Sequence, residues 1–377
     1  MARTFDEPFG GPGIANLDLI NNIIELDPKI NYVLFYKSKN HLGKYKDYPN
    51  VKEIFMKMPN KFLWDQIAVP YNSWKENVDL IFNPKFTVPL LTRKLTLVLC
   101  QGMEYFSFPQ YYSFFSLMYV RIFFPLYYKK AQKVLTLSND EQNDLNKYIK
   151  VPYEKMETVY SAHSKDFFPR RDRKELEAIK QKYNLPENFI LSVAKPFQGD
   201  RLLPRKNIDN IVRSFLAFED NSKTLKLVLA DNRSYEYITE VFGKELANDP
   251  RFVYPGWISH EDMPYIYSLA KLLMMPSYSE SFGLPLVEAM ACGCPVITST
   301  TSCCPEIVGD AGIVVDPTDV KGLTFAISSI LTDQKLSQRL TEKGIKKASE
   351  YSWTNSAKKV IRIFNELIKD QSYSSKN

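Results

Sequence analysis

The sequence predicts an α/β protein with parallel sheets, divided into two domains. Short apolar strands alternate with helical patterns almost throughout the chain, which is the pattern of α/β layering. At 377 residues it has room for two to three domains and for sizeable cores. A polar, proline-marked stretch from His163 to Glu187 interrupts the alternation and reads as the domain linker. Hydrophobic residues make up 45% and charged residues 24%, which excludes disorder, collagen-like repeats and a disulfide-stapled mini-protein.

The elements follow from the pattern in order. Asn31 to Tyr36, Leu95 to Cys100 and Lys133 to Leu137 read as strands of the first half. In the second half Phe189 to Ala194 reads as a strand, followed by a helix from Ile208 to Phe218 whose Ile208, Ile211, Val212 and Phe215 keep helical spacing. Leu225 to Ala230, Leu272 to Pro276 and Pro295 to Ser299 continue the alternation. The last helix, Ser356 to Lys369, carries Ala357, Val360, Ile361, Phe364, Leu367 and Ile368 on one stripe, so it packs against something. Two domains on one linker put a cleft between them, where ligands usually sit.

Charge and cysteines narrow the function. The balance of 49 Lys and Arg against 43 Asp and Glu gives +6, too weak and scattered for nucleic acid but suited to an anionic ligand or membrane surface. Five cysteines without framework spacing suggest a reducing cytoplasmic home. Cys292, Cys294, Cys303 and Cys304 lack zinc spacing, and His41, His163 and His260 are isolated. Tyr111 to Tyr128 is the nearest thing to a membrane span, but Arg121 in its middle argues against crossing. Being apolar all round, it is either packed in a core or dipped into a membrane interface, with Lys129, Lys130 and Lys133 behind it.

Two segments carry chemistry. In Pro276 to Ile297, PSYSESFGLPLVEAMACGCPVI, Glu280 follows a strand, at the carboxyl edge where open α/β sheets bind ligands. Pro285 fits the first position of a helix, and the amides around Phe282, Gly283 and Leu284 form a site for a phosphate. Glu288, one turn further, is placed to grip hydroxyls beside it. The second segment, Gly199 to Asn207, sets Arg201, Arg205 and Lys206 at another strand's end, as a diphosphate requires. No G-x-G-x-x-G follows a strand and no Walker loop is present, which disfavours hydride and phosphoryl transfer.

These segments resemble the retaining glycosyltransferases of family 4, nucleotide-sugar-dependent enzymes of the GT-B double-Rossmann architecture. The family's E-x7-E motif is matched by Glu280 and Glu288 in ESFGLPLVEAMACGCPV, and its paired cations by Arg201 and Lys206. VYPGWISHEDMPYIYSLA from Val253 and YSWTNSAKKVIRIF from Tyr351 resemble two further family segments. The resemblance implies an acceptor domain over 1–168, a donor domain over 169–350 and a helix over 351–377 that crosses back to the first. Arg201 and Lys206 would neutralise the leaving diphosphate, Glu280 would hold the sugar, Glu288 the ribose, and Ile258 would lie near the base. No metal or other cofactor is implied, because cations and a helix terminus can stabilise charge developing on phosphate. The implied partners are a nucleotide-sugar donor and a saccharide or lipid-linked acceptor, with peripheral membrane contact through 111–130, no nucleic acid, and a cytoplasmic or inner-membrane-face location. Bacterial surface polysaccharide assembly is the implied setting. The alternatives are a nucleotide-sugar-binding protein with lost or altered catalysis and a GT-B epimerase.

Three departures from the family bear on activity. The glycine loop Gly10 to Asn16, GGPGIAN, lies almost at the start, leaving Met1 to Phe5 for the strand that normally precedes it; its Gly10, Gly11 and Gly13 would approach the diphosphate or acceptor. Gln101 stands where the family commonly has a histidine near the donor sugar. Ser281 replaces a glycine, which is tolerable unless φ there is positive.

Overall fold

The computed structural model describes Phe5 and residues 11–198, 201–220 and 224–374, with backbone alone at 11, 12, 198, 201 and 371–374. The chain forms two compact units, Met1–Ser161 with Ser352–Asn377, and Ala162–Tyr351. The expected boundaries at 168 and 350 thus fall at 161 and 351. The seven-residue difference has a cause in Phe167, which is buried against the rings of His260 and Tyr267 in the second unit.

In the first unit, helix α1 (Gly11–Leu26) leads to β1 (Tyr32–Tyr36), which pairs in parallel with β2 (Val51–Phe55). A separate parallel sheet runs β3 (Leu80–Asn83), β4 (Leu95–Leu99), β5 (Lys133–Thr136), β6 (Met156–Thr158). Between β4 and β5 lies helix α2 (Phe114–Lys130), and between β5 and β6 helix α3 (Asn139–Ile149). Helix α2 divides the aromatic stretch between burial and exposure. Val120, Phe124, Tyr127 and Tyr128 are buried, while Phe114 and Phe115 are 73% and 74% exposed and Met118, Ile122 and Leu126 are exposed with them. No described helix is long and apolar enough to cross a membrane.

The second unit opens with α4 (Arg173–Tyr183), so the stretch read as a linker is largely a helix. Its composition is highly charged, but Lys182 and the Tyr183 hydroxyl both bond Asp262 at 2.6 Å, tying it to the unit. A parallel sheet of six strands follows, in the order β11 (Phe252–Val253), β10 (Lys226–Leu229), β7 (Phe189–Ser192), β12 (Leu272–Met275), β13 (Val296–Ser299), β14 (Ile313–Val315). Strands β7, β12 and β13 are buried at every residue, which is why apolar residues follow one another in them rather than alternating, up to the buried Ser192, Thr298 and Ser299 at the strand ends. After β7 a small antiparallel hairpin, β8 (Phe197–Gln198) with β9 (Arg201–Leu202), precedes α5 (Ile208–Ala217). Helix α6 (Met263–Leu269) precedes β12, and α7 (Leu284–Ala291) joins β12 to β13.

The chain then returns to the first unit as α8 (Trp353–Ser374), beginning three residues before the expected helix. Its Ala357, Val360, Ile363 and Phe364 are buried in one core with Leu19, Ile20, Ile23 and Ile24 of α1. Of the first strand expected over Met1 to Phe5, only Phe5 is among the described residues.

Packing is tight where β13 and β14 meet. A Cβ on Gly312 would lie 2.6 Å from side-chain carbons of both Val296 and Val308, and 2.9 Å from the Val296 carbonyl. Two β-branched neighbours and a backbone atom cannot yield cheaply. Gly312→Ala is expected to destabilise the second unit by about 2 kcal/mol, read as a lowered urea midpoint with an unchanged slope.

Candidate active site

The carboxyl edge of the second sheet is assembled around a tight turn. Pro204–Lys206 form a single 3-10 turn, and Asn207 behind it takes the left-handed conformation at φ 57°, ψ 37°. Asparagine tolerates that region better than other side-chain-bearing residues. The Asn207 amide donates to the carbonyls of Pro276 (2.8 Å) and Pro317 (2.7 Å), tying the start of α5 to the loops after β12 and β14. Asn210, one turn on, also donates to Pro317, at 2.9 Å. The Tyr278 amide donates to the Arg205 carbonyl at 2.8 Å, and the Arg205 guanidinium donates to the Ser279 carbonyl at 3.2 Å.

This zip delivers Lys206 to Glu280, with Nζ 2.6 Å from Oε1 and side chains 18% and 10% exposed. The Glu280 backbone is pinned independently. Ser302 Oγ accepts from its amide (3.2 Å) and donates to its carbonyl (2.7 Å), and the Cys303 thiol donates to the same carbonyl. Ser302 makes these contacts from a left-handed conformation, φ 56°. Burial pushes the Glu280 carboxyl up, but the nearby charges of Lys206 and Arg205 and the Lys206 bond outweigh it and hold it below the usual carboxylate value. An ionised Glu280 is therefore the resting state at neutral pH.

Glu288 is in a different environment. It lies in α7, buried, and Oε2 accepts from the hydroxyl of Tyr267 in α6 at 3.1 Å. Desolvation raises its carboxyl to about 7, with the Tyr267 bond opposing the rise. The two carboxylates expected to act together are thus set on opposite sides of the ordinary value.

Gly283 caps α7 at φ 78°, and a Cβ there would sit 3.1 Å from Leu286. Phe282 is buried edge-on to the Tyr351 ring, with centroids 5.4 Å apart, and Leu284 is half-buried as the first helical residue. Pro285 is the second helical residue, one position later than expected. Ser281 is not among the residues with positive φ, so the lost glycine costs no strain. Ile258 is buried in the loop after β11, where Asn232 accepts from the Trp257 amide at 2.6 Å. Arg201 begins β9, and its side chain lies outside the described residues.

In the first unit, Gln101 follows β4 and is buried, and its Nε2 donates to Oδ1 of Asn16 in α1 at 2.7 Å. The structure therefore joins Gln101 to the helix that the glycine loop starts, with Gly11 and Gly13 in its first turn. Gly10 lies outside the described residues. The loop of Gln101 is held by Glu141 of α3, whose carboxylate accepts from the Gly102 amide and, at 2.7 Å, from the Leu137 amide. Burial raises that carboxyl to about 8.

Asn207, Ser302, Tyr267, Asn16 and Glu141 were not singled out from sequence. Asn207 had a signal, an asparagine directly ahead of an amphipathic helix, whereas the other four act through distant partners that a single sequence does not show.

With this geometry in hand, comparison with known proteins is specific. Residues 172–347 match the family described as glycosyl transferases group 1. O-antigen chain mannosyltransferase B of Escherichia coli is 29% identical over 296 residues, covering 77% of this chain and 75% of that protein. O-antigen chain mannosyltransferase RfbU of Salmonella typhimurium is 26% identical over 254 residues, covering 67% and 65%. The chain spans only 29% of the longer Escherichia coli serotype-specific mannosyltransferase WbdA. Among solved structures, the sucrose-phosphate synthase of Thermosynechococcus elongatus superposes with a TM-score of 0.74 at 20% identity, over 96% of this chain and 94% of that one. Anabaena Alr3699/HepE, solved with UDP and glucose, gives 0.73 at 16% identity, over 95% and 97%. These likenesses establish two Rossmann-like units of GT-B type. The chain is a glycosyltransferase of GT-B fold, and its residues 172–347 carry the match to glycosyl transferases group 1.

Proposed function

We propose that this glycosyltransferase moves mannose, with retention and without a metal, from a nucleotide-diphosphate donor onto a saccharide or lipid-linked saccharide during bacterial surface polysaccharide assembly. The mannosyltransferase names of its relatives support the sugar and the setting. The observation that carries the chemistry is the Lys206–Glu280 pair held at the sheet's carboxyl edge beside Arg205.

In the proposed reaction the bond from the anomeric carbon to the β-phosphate oxygen breaks, and charge grows on the diphosphate. Lys206, with Arg201 as its partner, meets that charge in place of a metal. The ionised Glu280 accepts from sugar hydroxyls and orients the donor. The acceptor's proton passes to the departing phosphate oxygen as the acceptor oxygen bonds the same face of the sugar. The loop amides of Phe282, Gly283 and Leu284 receive a phosphate, Glu288 bonds the ribose, and Ile258 packs near the base. In the first unit, Gln101 and the glycine loop Gly10, Gly11 and Gly13 serve the sugar and acceptor side.

Helix α2 supports contact with the inner face of the cytoplasmic membrane. Phe114, Phe115, Met118, Ile122 and Leu126 fall within about a third of its circumference, and exposed Lys129 lies on the same stripe. The helix carries no acidic residue, so the stripe suits an anionic bilayer.

Four outcomes test this reading. Thermal shift against UDP-, GDP-, ADP- and dTDP-sugars in EDTA is expected to select one donor, and transfer from it is expected to preserve the anomeric configuration by NMR; dependence on added metal would overturn the metal-free reaction. Lys206→Ala is expected to lower kcat by about 100-fold or more with a smaller change in KM, measured as initial rates with the selected donor. Because folded Glu288 binds its proton more tightly than the unfolded carboxyl at 4.5, its contribution to stability is full below that value and is lost as pH rises from 4.5 to about 7. Urea titrations are expected to show Glu288→Gln removing that part of the fall and leaving the parts due to Asp144 and Glu141, which extend to about 6 and about 8. Co-sedimentation with phosphatidylglycerol vesicles is expected to drop several-fold in a Phe114→Ser, Phe115→Ser double variant.

A further inference from the structure

Helix α7 is an unfavourable place for a carboxylate. Leu286, Val287, Ala289 and Met290 around Glu288 are completely buried, and Glu288 itself is only 7% exposed. Burial penalises the charged form, and an apolar side chain in its place would pack without that penalty. The group that meets Glu288 is equally out of place. Tyr267 of α6 is 1% exposed, and its hydroxyl donates to Oε2 of Glu288 at 3.1 Å. A phenylalanine there would fill nearly the same volume with no polar atom to satisfy. Two buried polar groups thus meet between helices at positions where packing alone favours apolar ones.

The kind of donor is informative. Glu280 is paired with a lysine at 2.6 Å, which neutralises its charge. A phenol is itself neutral and has one hydrogen to give. It fixes Oε2 and favours the ionised carboxyl against the opposing effect of burial. Among the described residues, Oε1 takes no hydrogen bond. One oxygen is therefore held and the other is left for a ligand.

We propose that Tyr267 is a positioning residue for nucleotide recognition, holding Oε2 of Glu288 so that Oε1 faces the ribose hydroxyls of the donor. The role rests on Glu288 being the ribose contact. The phenol is itself anchored, since its ring is buried and lies 6.2 Å, centroid to centroid, from that of buried Phe167. A glutamate side chain left free samples several rotamers, and one ordered beforehand binds without losing that freedom. Tyr267 thereby sets the preference for ribose over a sugar lacking its hydroxyls, acting through Glu288 alone.

Isothermal calorimetry on the full chain with ADP, GDP and UDP, each beside its 2′,3′-dideoxy form, tests this role. The unaltered protein is expected to bind the ribonucleotide of one base about 30-fold more tightly than its dideoxy form. Tyr267→Phe is expected to cut that preference to about threefold, chiefly by weakening the ribonucleotide. A merely structural role would weaken both forms together and keep the preference, and that result overturns the proposal. Glu288→Leu, which removes both oxygens, separates the two readings. A preference lost in Glu288→Leu but kept in Tyr267→Phe overturns the positioning role alone. A preference kept in Glu288→Leu, or no nucleotide bound by the unaltered protein, overturns the ribose contact and the proposal with it. Should Tyr267→Phe prove unstable by itself, the double variant Tyr267→Phe, Glu288→Leu leaves neither polar group buried there. Its preference is expected to equal that of Glu288→Leu, and a further loss would show Tyr267 acting by another route and overturn the proposal.

Discussion

The two bonds from the Asn207 amide are the constraint on which the rest of the second unit's site depends. Pro276 and Pro317 lie after strands that are not neighbours, and one side chain holds both carbonyls. That side chain is usable only because the backbone turns left-handed at Asn207, which also ends the 3-10 turn carrying Arg205 and Lys206. An uncharged residue thus ties the turn of the cations to the strand end ahead of Glu280, whose own backbone Ser302 holds separately. Flexible lysines held this way cost less entropy at the moment a ligand arrives.

The environment then gives two glutamates different states. Glu280 is close to Lys206 and Arg205 and stays ionised despite burial, while burial raises Glu288 to about 7 against the opposing bond from the Tyr267 hydroxyl. One is an acceptor of fixed charge. The other holds its proton to a higher pH than an ordinary carboxyl, and a protonated carboxyl can donate as well as accept.

Legibility in the sequence followed the range of the interactions. The buried strands Phe189–Ser192 and Leu272–Met275 announce themselves because both faces are covered and every residue but Ser192 is apolar. Val51–Phe55 was missed, since Lys52 and Glu53 break its pattern at a sheet edge. Arg173–Tyr183 reads as a linker because its surface is charged and its anchor, Asp262, is about eighty residues away. In the site, Glu280 and Lys206 were legible from local frames, but the distance between them was not. Within the stretch that blurs the cation loop in sequence, Phe197 pairs with Leu202 in two short antiparallel strands.

The return of the chain to its first unit has a consequence for synthesis. The second unit is an insertion between Ser161 and Ser352, and α8 supplies Ala357, Val360, Ile363 and Phe364 to a core begun by α1. A ribosome releases the second unit whole while the first still lacks that wall. The amino-terminal half thus finishes folding last, holding an open apolar face for as long as 190 residues take to emerge. Damage to the final helix would register as a defect of the beginning of the protein rather than of its end.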